Sequence, residues 1–481
     1  MEKKQAFNPY LPSYEYVPDG EPRVFGDRLY VYGSHDRFNG QDFCVNDYVC
    51  WSAPVDDLGN WKFEGVIYRS TQDPKNAKGN MHMNAPDVVR GPDGRYYLYY
   101  QLHLLKSTAV AVCDTPAGKY EFYGYVEKDG TPYGETKGDA YAFDPGVLVD
   151  DDGRIWLYIG FSPAPGFLKK VMQMRGNAVD GGYCVELAQD MKTVKSGAVM
   201  VVPGSSEAEG TDYEGHGFYE ASSPRKIGKK YYLVYSSILS HELCYAVSDF
   251  PDRGFRYGGT LVSIGDVGYQ GRTRPDNYTG NTHGGMVEID GCWYIFYHRQ
   301  TNKQKCARQG CAEQIHFLSE EHIPQVEMTS CGLNGGPLVG TGTYEARIAC
   351  NLYSASGTFA YEKTHEKDKK NLHPYFTQSG EDREQDGDQY IANLQKGSTA
   401  GFKYFDLRTP ERITVRVRSS CNGIMEVRTA EKGSCIARIE VSESEDWTEA
   451  SALLSQAEGI LPLYFTWQGD KGCDFSGFTL V

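Results

Sequence analysis

The sequence predicts an all-β protein: a five-bladed β-propeller followed by a β-sandwich. Three observations carry this. One turn-and-strand pattern recurs five times between Phe25 and Arg299. The chain holds 54 Gly and 36 Tyr, with 13% aromatic residues, a composition suited to pleated strands joined by tight turns. In the C-terminal part, short alternating strands replace the repeat.

The five copies read FGDRLYVYGS, GPDGRYYLYYQ, DDDGRIWLYIG, KIGKKYYLVYSS and EIDGCWYIFYHR. Aligned on Tyr30, Tyr97, Trp156, Tyr232 and Tyr294, they lie 67, 59, 76 and 62 residues apart. Each turn pairs Gly with Asp or Lys, as tight hairpins do. Each following strand mixes aromatic and aliphatic residues and is expected to be buried on both faces. A second strand precedes every turn, in PDGEPRVF, MNAPDVVRG, FDPGVLVD, YEASSPRKI and NTHGGMVEI. The unit is then a hairpin plus enough chain for two more strands, which is a propeller blade.

The propeller is assigned to residues 1–325. Residues 326–355, with the Gly-rich SCGLNGGPLVGTGTYEAR, read as a linker packing on it. Residues 356–481 contain QYIANL, AGFKYFDL, ITVRVRS, GIMEVRT, CIARIEV and LPLYFTW, spaced as in a β-sandwich. The charge-rich HEKDKKNLH and SGEDREQDGD are expected to be exposed loops.

A net charge of −15 and a pI near 5.3 argue against nucleic acid and anionic membranes as partners. No apolar run reaches the length of a membrane span, and the N-terminal MEKKQAFNPYLPSYEY lacks the apolar stretch of a signal peptide. The 13 cysteines form no zinc-site pattern, although Cys306 and Cys311 lie close together. They are taken as reduced thiols, and the protein as cytoplasmic.

The repeat also serves as a ruler. Asp19 lies eleven residues before Tyr30, Asp144 twelve before Trp156, Glu220 twelve before Tyr232 and His283 eleven before Tyr294. In the second copy the equivalent place is Ala85–Pro86, flanked by Asn84 and Asp87. An Asp at a strand start is ordinarily a turn residue; recurrence at one position sets these apart. If that position opens the innermost strand, the side chains converge at one mouth of the channel. Glycosidic cleavage needs a proton donor and a base or nucleophile on opposite sides of the sugar, which carboxyls of different pKa supply. The Gly284–Gly285 pair after His283 would let backbones approach closely.

These segments resemble glycoside hydrolase family 43, over residues 7 to 325. The resemblance implies Asp19 as general base, Asp144 as the residue that tunes the acid and orients the sugar, and Glu220 as general acid. It further implies His283 beside a structural calcium ion in the channel, and Arg308 (in ARQGCAEQIHF) against the sugar and the acid. Asn84 is assigned to substrate binding, within MNAPDVV where many members carry Trp. The first motif reads DGEP where many members have Asp-Pro-Ser, which leaves Glu21 as an alternative base. The C-terminal part is similar to family 6 carbohydrate-binding modules, with Asp474 as a candidate calcium ligand and a purely structural role as the alternative.

The implied activity is that of an inverting exo-β-xylosidase or α-L-arabinofuranosidase acting on short xylo-oligosaccharides or arabinoxylan fragments. Endo-arabinanase activity and a non-catalytic sugar-binding propeller are the alternatives. Association into a homo-oligomer stays open.

Overall fold

The computed structural model describes residues 3–360, 372–382, 387–455 and 457–481. Much of the two charge-rich segments, 365–371 and 383–386, lies outside the described residues.

The molecule is built almost wholly of strands. The first part forms five antiparallel sheets, each with its strands hydrogen-bonded in chain order. Sheet 1 contains Glu21–Phe25, Arg28–Tyr32, Tyr48–Pro54 and Lys62–Tyr68. Sheet 2 contains Met83–Arg90, Tyr96–Leu102, Thr108–Cys113 and Glu121–Tyr125. Sheet 3 contains Gly146–Val149, Ile155–Ile159, Gly181–Leu187 and Val199–Pro203. Sheet 4 contains Phe218–Ile227, Lys230–Ser237, Glu242–Ser248 and Arg256–Ser263. Sheet 5 has three strands, Met286–Ile289, Cys292–Thr301 and Gln304–Ile315. The opening hairpins sit where the repeat predicts them. In sheet 5 the turn is Asp290–Gly291, both at positive φ, a type I′ turn whose twist matches the strands it joins.

The second strand of each sheet is the Tyr-rich repeat. Its residues are buried on both faces, as in Tyr231–Ser237, because each sheet is covered by neighbours. Five apolar clusters lie between sheets. They join sheets 1 and 2 (Tyr32 with Leu98), 2 and 3 (Tyr99 with Leu157), 3 and 4 (Trp156 with Leu233), 4 and 5 (Val234 with Ile295), and 5 and 1 (Phe296 with Val31). The last cluster joins the final sheet back to the first. Polar bonds link the first strands as well. Arg23 of sheet 1 pairs with Asp87 of sheet 2, and Asp87 accepts the Val147 N–H of sheet 3. Arg225 of sheet 4 pairs with Glu21 of sheet 1 and donates to the Met286 carbonyl of sheet 5.

The C-terminal part holds two six-stranded sheets. One is ordered around Thr399–Asp406, Ile460–Trp467 and Gly423–Arg428, the other around Tyr390–Leu394, Cys473–Leu480 and Arg412–Ser419. Both line one apolar cluster, with Phe465 and Phe402 of the first sheet against Phe478 of the second at ring separations of 4.8 and 5.0 Å. Part of the segment read as a linker belongs to these sheets. Gly342–Glu345 pairs with Cys473–Leu480, and Asn351–Tyr353 pairs with Thr399–Asp406. Tyr344 explains the difference, since its buried ring packs on Phe405 and Phe478. Asp474, read as a candidate calcium ligand, is committed elsewhere: it pairs with Arg418 at 2.8 Å and accepts the Asn393 N–H at 2.8 Å.

Candidate active site

The residues picked by the ruler sit at or just before the starts of the first strands. Asp19 precedes Glu21–Phe25, Asp144 precedes Gly146–Val149, His283 precedes Met286–Ile289, and Asn84 and Glu220 lie near the starts of the strands Met83–Arg90 and Phe218–Ile227. Three backbones here take the left-handed conformation: Asp19 (φ 56°), Asp144 (φ 46°) and Ala221, just after Glu220 (φ 72°). Non-glycine residues adopt it at a cost that clusters at functional sites. The pair Gly284–Gly285 meets a steric need. A Cβ on Gly284 would lie 2.0 Å from the Phe296 carbonyl oxygen, and one on Gly285 would lie 2.3 Å from Ser223 Oγ and 2.7 Å from Glu21 Oε2.

Asp19 is buried and gripped by a cation. Arg308 Nη1 lies 2.8 Å from its Oδ1, and His298 Nδ1 lies 3.3 Å from the same oxygen. The Asp19 N–H donates to His298 Nδ1 at 3.2 Å. Burial alone would push the Asp19 carboxyl up, but Arg308, then His298 and His283, outweigh it and hold the group at about 2. Burial, aided by the neighbouring Arg308 charge, pushes His298 down to about 3, so its ring is neutral.

Asp144 has the opposite electrostatics. It too is buried, and burial raises its proton affinity well above the carboxylate range; the Glu220 and Asp19 charges add to this. The Ala221 N–H donates to Asp144 Oδ2 at 3.2 Å, fastening the carboxyl beside Glu220. Like charges crowded in a dry site do not both ionise, so Asp144 and Glu220 titrate as a system. Glu220 itself is half-buried and keeps access to solvent.

His283 lies between the two halves. Its Nδ1 is 3.6 Å from Asp144 Oδ2, and its Nε2 is 3.9 Å from Glu21 Oε1. Burial lowers its pKa, so it is neutral. Glu21 is tied on its other oxygen to Arg225 (2.9 Å) and Ser223 Oγ (3.1 Å), leaving Oε1 buried without a hydrogen-bond partner. That oxygen and the imidazole nitrogen are a donor pair facing one spot. Calcium takes six to eight oxygen ligands, so Glu21 Oε1 could ligate such an ion directly, while His283 could reach it only through a bound water.

Arg308 reaches the candidate base Asp19. Its guanidinium is sealed from solvent and forks onto Asp36, with Nε to Oδ2 at 2.8 Å and Nη2 to Oδ1 at 3.1 Å, while Nη1 reaches Asp19. It clasps Asp19 and Asp36 together. Phe43 covers the guanidinium, 4.7 Å from its ring centre. Asn84 donates to Gln101 Oε1 at 3.0 Å, and its carbonyl accepts the Tyr48 hydroxyl. Burial raises the Tyr48 hydroxyl well above its ordinary range, with the Asp19 and Asp144 charges adding to this, and Asn84 beside it is half-exposed.

Sequence reasoning missed Asp36, His298 and an aromatic shelf. Phe143 and Tyr219, each directly before a site carboxylate, bracket Phe161 at 5.2 Å on either side, and Tyr141 extends the row. All four rings are half-exposed, so they offer flat apolar surface beside polar groups, which suits a sugar face. The aromatic directly before Asp144 and Glu220 was the available signal. Away from this site, one group of described donors lies close enough to share an ion: His216, Glu242 and Cys244. Hydrogen bonds already occupy it, with Glu242 Oε1 accepting from Ser237 Oγ at 2.6 Å and lying 2.6 Å from His216 Nδ1, and Oε2 accepting from Thr260 Oγ1 at 3.1 Å.

A family model described as glycosyl hydrolases family 43 matches residues 16–322. A curated "Xylosidase/arabinosidase" of Thermoclostridium stercorarium is 50% identical over 482 residues, covering 99% of each chain. A "Xylosidase/arabinosidase" of Bacteroides ovatus is 29% identical, over 60% of this chain and 87% of its own. Among solved structures, the GH43_1 enzyme from Xanthomonas citri complexed with xylose superposes with a TM-score of 0.52 at 24% identity, covering 66% of this chain and 92% of that one. An arabinoxylan arabinofuranohydrolase from Bacillus subtilis gives 0.50 at 18% identity, covering 98% and 96%. At these identities the structural likeness speaks to fold alone.

Proposed function

Since the chain belongs to glycosyl hydrolases family 43, and is therefore a glycoside hydrolase, we propose that it is an inverting exo-glycosidase releasing xylose and arabinose from short xylo-oligosaccharides and arabinoxylan fragments. Kinship with a xylosidase/arabinosidase along the whole chain supports the substrate class. The observation that carries the chemistry is the split between carboxyls. Asp19 is held ionised at about 2, while Asp144 beside Glu220 is pushed well up. Carboxyls driven apart in this way supply a base and an acid at one pH.

Asp19 takes a proton from water as that water attacks the anomeric carbon. Glu220, half-exposed beside Asp144, gives its proton to the departing oxygen. Asp144, fastened to the Ala221 N–H, orients a sugar hydroxyl. Arg308 positions Asp19 and keeps it ionised, Asn84 lines the rim, and the Tyr141–Phe143–Phe161–Tyr219 shelf carries the sugar face. Glu21, locked by Arg225 and Ser223, serves the channel and leaves the base role to Asp19. Calcium, held through His283 and Glu21 Oε1, would supply positive charge beneath the site. Metal analysis that finds no calcium, with no effect of EDTA on melting, would remove it.

The same reading covers architecture and setting. The five sheets are the blades of a propeller, supported by the return of the last apolar cluster to sheet 1. Residues 1–325 form this catalytic unit, and the C-terminal pair of sheets is a β-sandwich that begins inside the linker, by Leu338. Thirteen unpaired thiols support a reducing, cytoplasmic setting.

The test is p-nitrophenol release from the β-D-xyloside and the α-L-arabinofuranoside, with Glu220→Ala as control, and NMR of the first-formed anomer. Release from either substrate, lost in the variant and giving the inverted anomer, is the expected result. A folded protein inactive on both would sink the exo-pentosidase assignment.

A further inference from the structure

Arg308 is flanked by two segments of the first unit, and both rest on one short stretch of the C-terminal unit. The first flank is the loop between the second and third strands of sheet 1. It supplies Asp36 and Phe43 to the guanidinium, and Asp36 also accepts the N–H groups of Cys44 (2.9 Å) and Arg308 (3.2 Å). Its next turn is pinned from outside: the Phe38 N–H donates to Asp382 Oδ1 at 2.9 Å, and Arg37 Nε lies 3.8 Å from Asp382 Oδ2. Tyr16, whose carbonyl accepts the Asp36 N–H at 2.9 Å, donates its hydroxyl to Gln378 Oε1 at 2.7 Å and accepts from Gln389 Nε2 at 3.3 Å. Tyr16, Phe38 and Ala307, the residue before Arg308, form a small buried cluster of their own.

The second flank is the hairpin leading into Arg308. The Asn302 N–H donates to the Phe376 carbonyl at 2.8 Å, and Thr377 Oγ1 donates to Asn302 Oδ1 at 3.1 Å. Lys303 lies over the Tyr375 ring at 3.9 Å, and Arg299 over Phe376 at 3.8 Å. Gln378 and Gln389 are both buried. Buried amides must find partners or cost stability; Gln378 Oε1 and Gln389 Nε2 find theirs on the Tyr16 hydroxyl.

We infer that Asp382 and Gln378 of the C-terminal unit are positioning residues for the reaction: they hold the Asp36 loop that clasps Arg308, and through it Asp19. The strand and loop spanning Tyr375 to Asp382 complete the wall behind the base instead of facing a second carbohydrate. This inference rests on Asp19 being the base.

The experiment uses the full chain, with Asp382→Ala, Asp382→Asn and Tyr16→Phe measured beside Asp19→Ala. Displacing a clasp near the reacting atoms by a fraction of an ångström costs on the order of tenfold in rate. Asp382→Ala is expected to lower kcat about tenfold with KM little changed, and to move the acidic limb of the kcat/KM profile upward. Asp382→Asn keeps an acceptor for the Phe38 N–H and is expected to restore most of both. Tyr16→Phe keeps the ring packing, loses the Gln378 bond, and is expected to shift the limb in the same direction if Asp382→Ala does not fold. Wild-type kcat and limb in Asp382→Ala and Tyr16→Phe, with Asp19→Ala inactive, overturn the inference alone. Retained activity in Asp19→Ala overturns both the base assignment and the inference built on it.

Discussion

Arg308 Nη1 and Asp19 Oδ1 lie 2.8 Å apart and are sealed from solvent together. The same guanidinium forks onto Asp36, so one cation serves two buried carboxylates. Arg308→Lys keeps the charge and loses the fork, which an ammonium does not reproduce. The expected outcome is a fall in kcat of about a hundredfold and an acidic limb of kcat/KM moved upward, read from rates across pH 3 to 7. The stability sign follows from linkage. Asp19 at about 2 lies below its ordinary 3.8, so its contribution is present above that ordinary value and lost as pH falls through the folded one. Acid unfolding of Arg308→Lys is therefore expected to begin at higher pH than that of the parent.

Asp144 carries the opposite sign. Its carboxyl is raised well above the ordinary range, first by burial and then by Glu220 and Asp19. The folded protein thus holds a proton that the unfolded chain releases, and stability falls as pH rises above the ordinary aspartate range. Asp144→Asn removes that liability with an almost isosteric side chain. We expect a higher melting temperature at pH 7 and a kcat reduced by two orders of magnitude or more. A lower melting temperature would show that the Asp144 carboxylate is bonded more favourably than this burial argument holds.

Much of this was legible from spacing. The Tyr-rich strand fills the space between adjacent sheets, so its pattern is dictated by packing on both faces and repeats with the fold. The ruler found Asp19, Asp144, Glu220 and His283 because each opens a first strand. Asp36 and His298 escaped it. Asp36 lies on a loop whose length differs from sheet to sheet, and His298 lies inside a buried strand, where it reads as packing. Arg308 was found by resemblance, but which face of its strand met which carboxylate depended on Asp36. The acidic strand Ser444–Leu453 escaped too. It lies at a sheet edge, where pairing with Arg412–Ser419 sustains residues that are poor strand formers.

The thiols provide a chemical check. Nine of the thirteen are buried, while Cys113, Cys292, Cys421 and Cys435 are half-exposed. Cys44 lies 3.6 Å from Arg308 Nη2, yet burial holds its thiol well above the usual range, so it stays protonated and unreactive. Iodoacetamide on the native protein is expected to label only the half-exposed four, as read by peptide mass spectrometry, with activity retained. Rapid loss of activity with modified Cys44 would mean that the Phe43–Cys44 turn opens in solution.

The His216–Glu242 pair gives the last prediction. His216 Nδ1 lies 2.6 Å from Glu242 Oε1, and the ring stacks on Tyr257 at 5.1 Å. The bond to Glu242 raises the His216 pKa against burial. Burial would raise Glu242, but His216 and the hydroxyl of Ser237 bring it down to about 2. The two partners set opposite ends of one window. The histidine's contribution is complete below its ordinary 6.5 and is lost as pH rises through the folded value; the glutamate's is complete above its ordinary 4.5 and is lost as pH falls through about 2. Their joint contribution is therefore greatest between pH 4.5 and 6.5. Both hold the strand starts of sheet 4 from which Glu220 projects. Glu242→Gln is expected to lower the melting temperature most in that window and less toward pH 9. A melting difference independent of pH would assign the pair's role to packing against Tyr257 instead of charge.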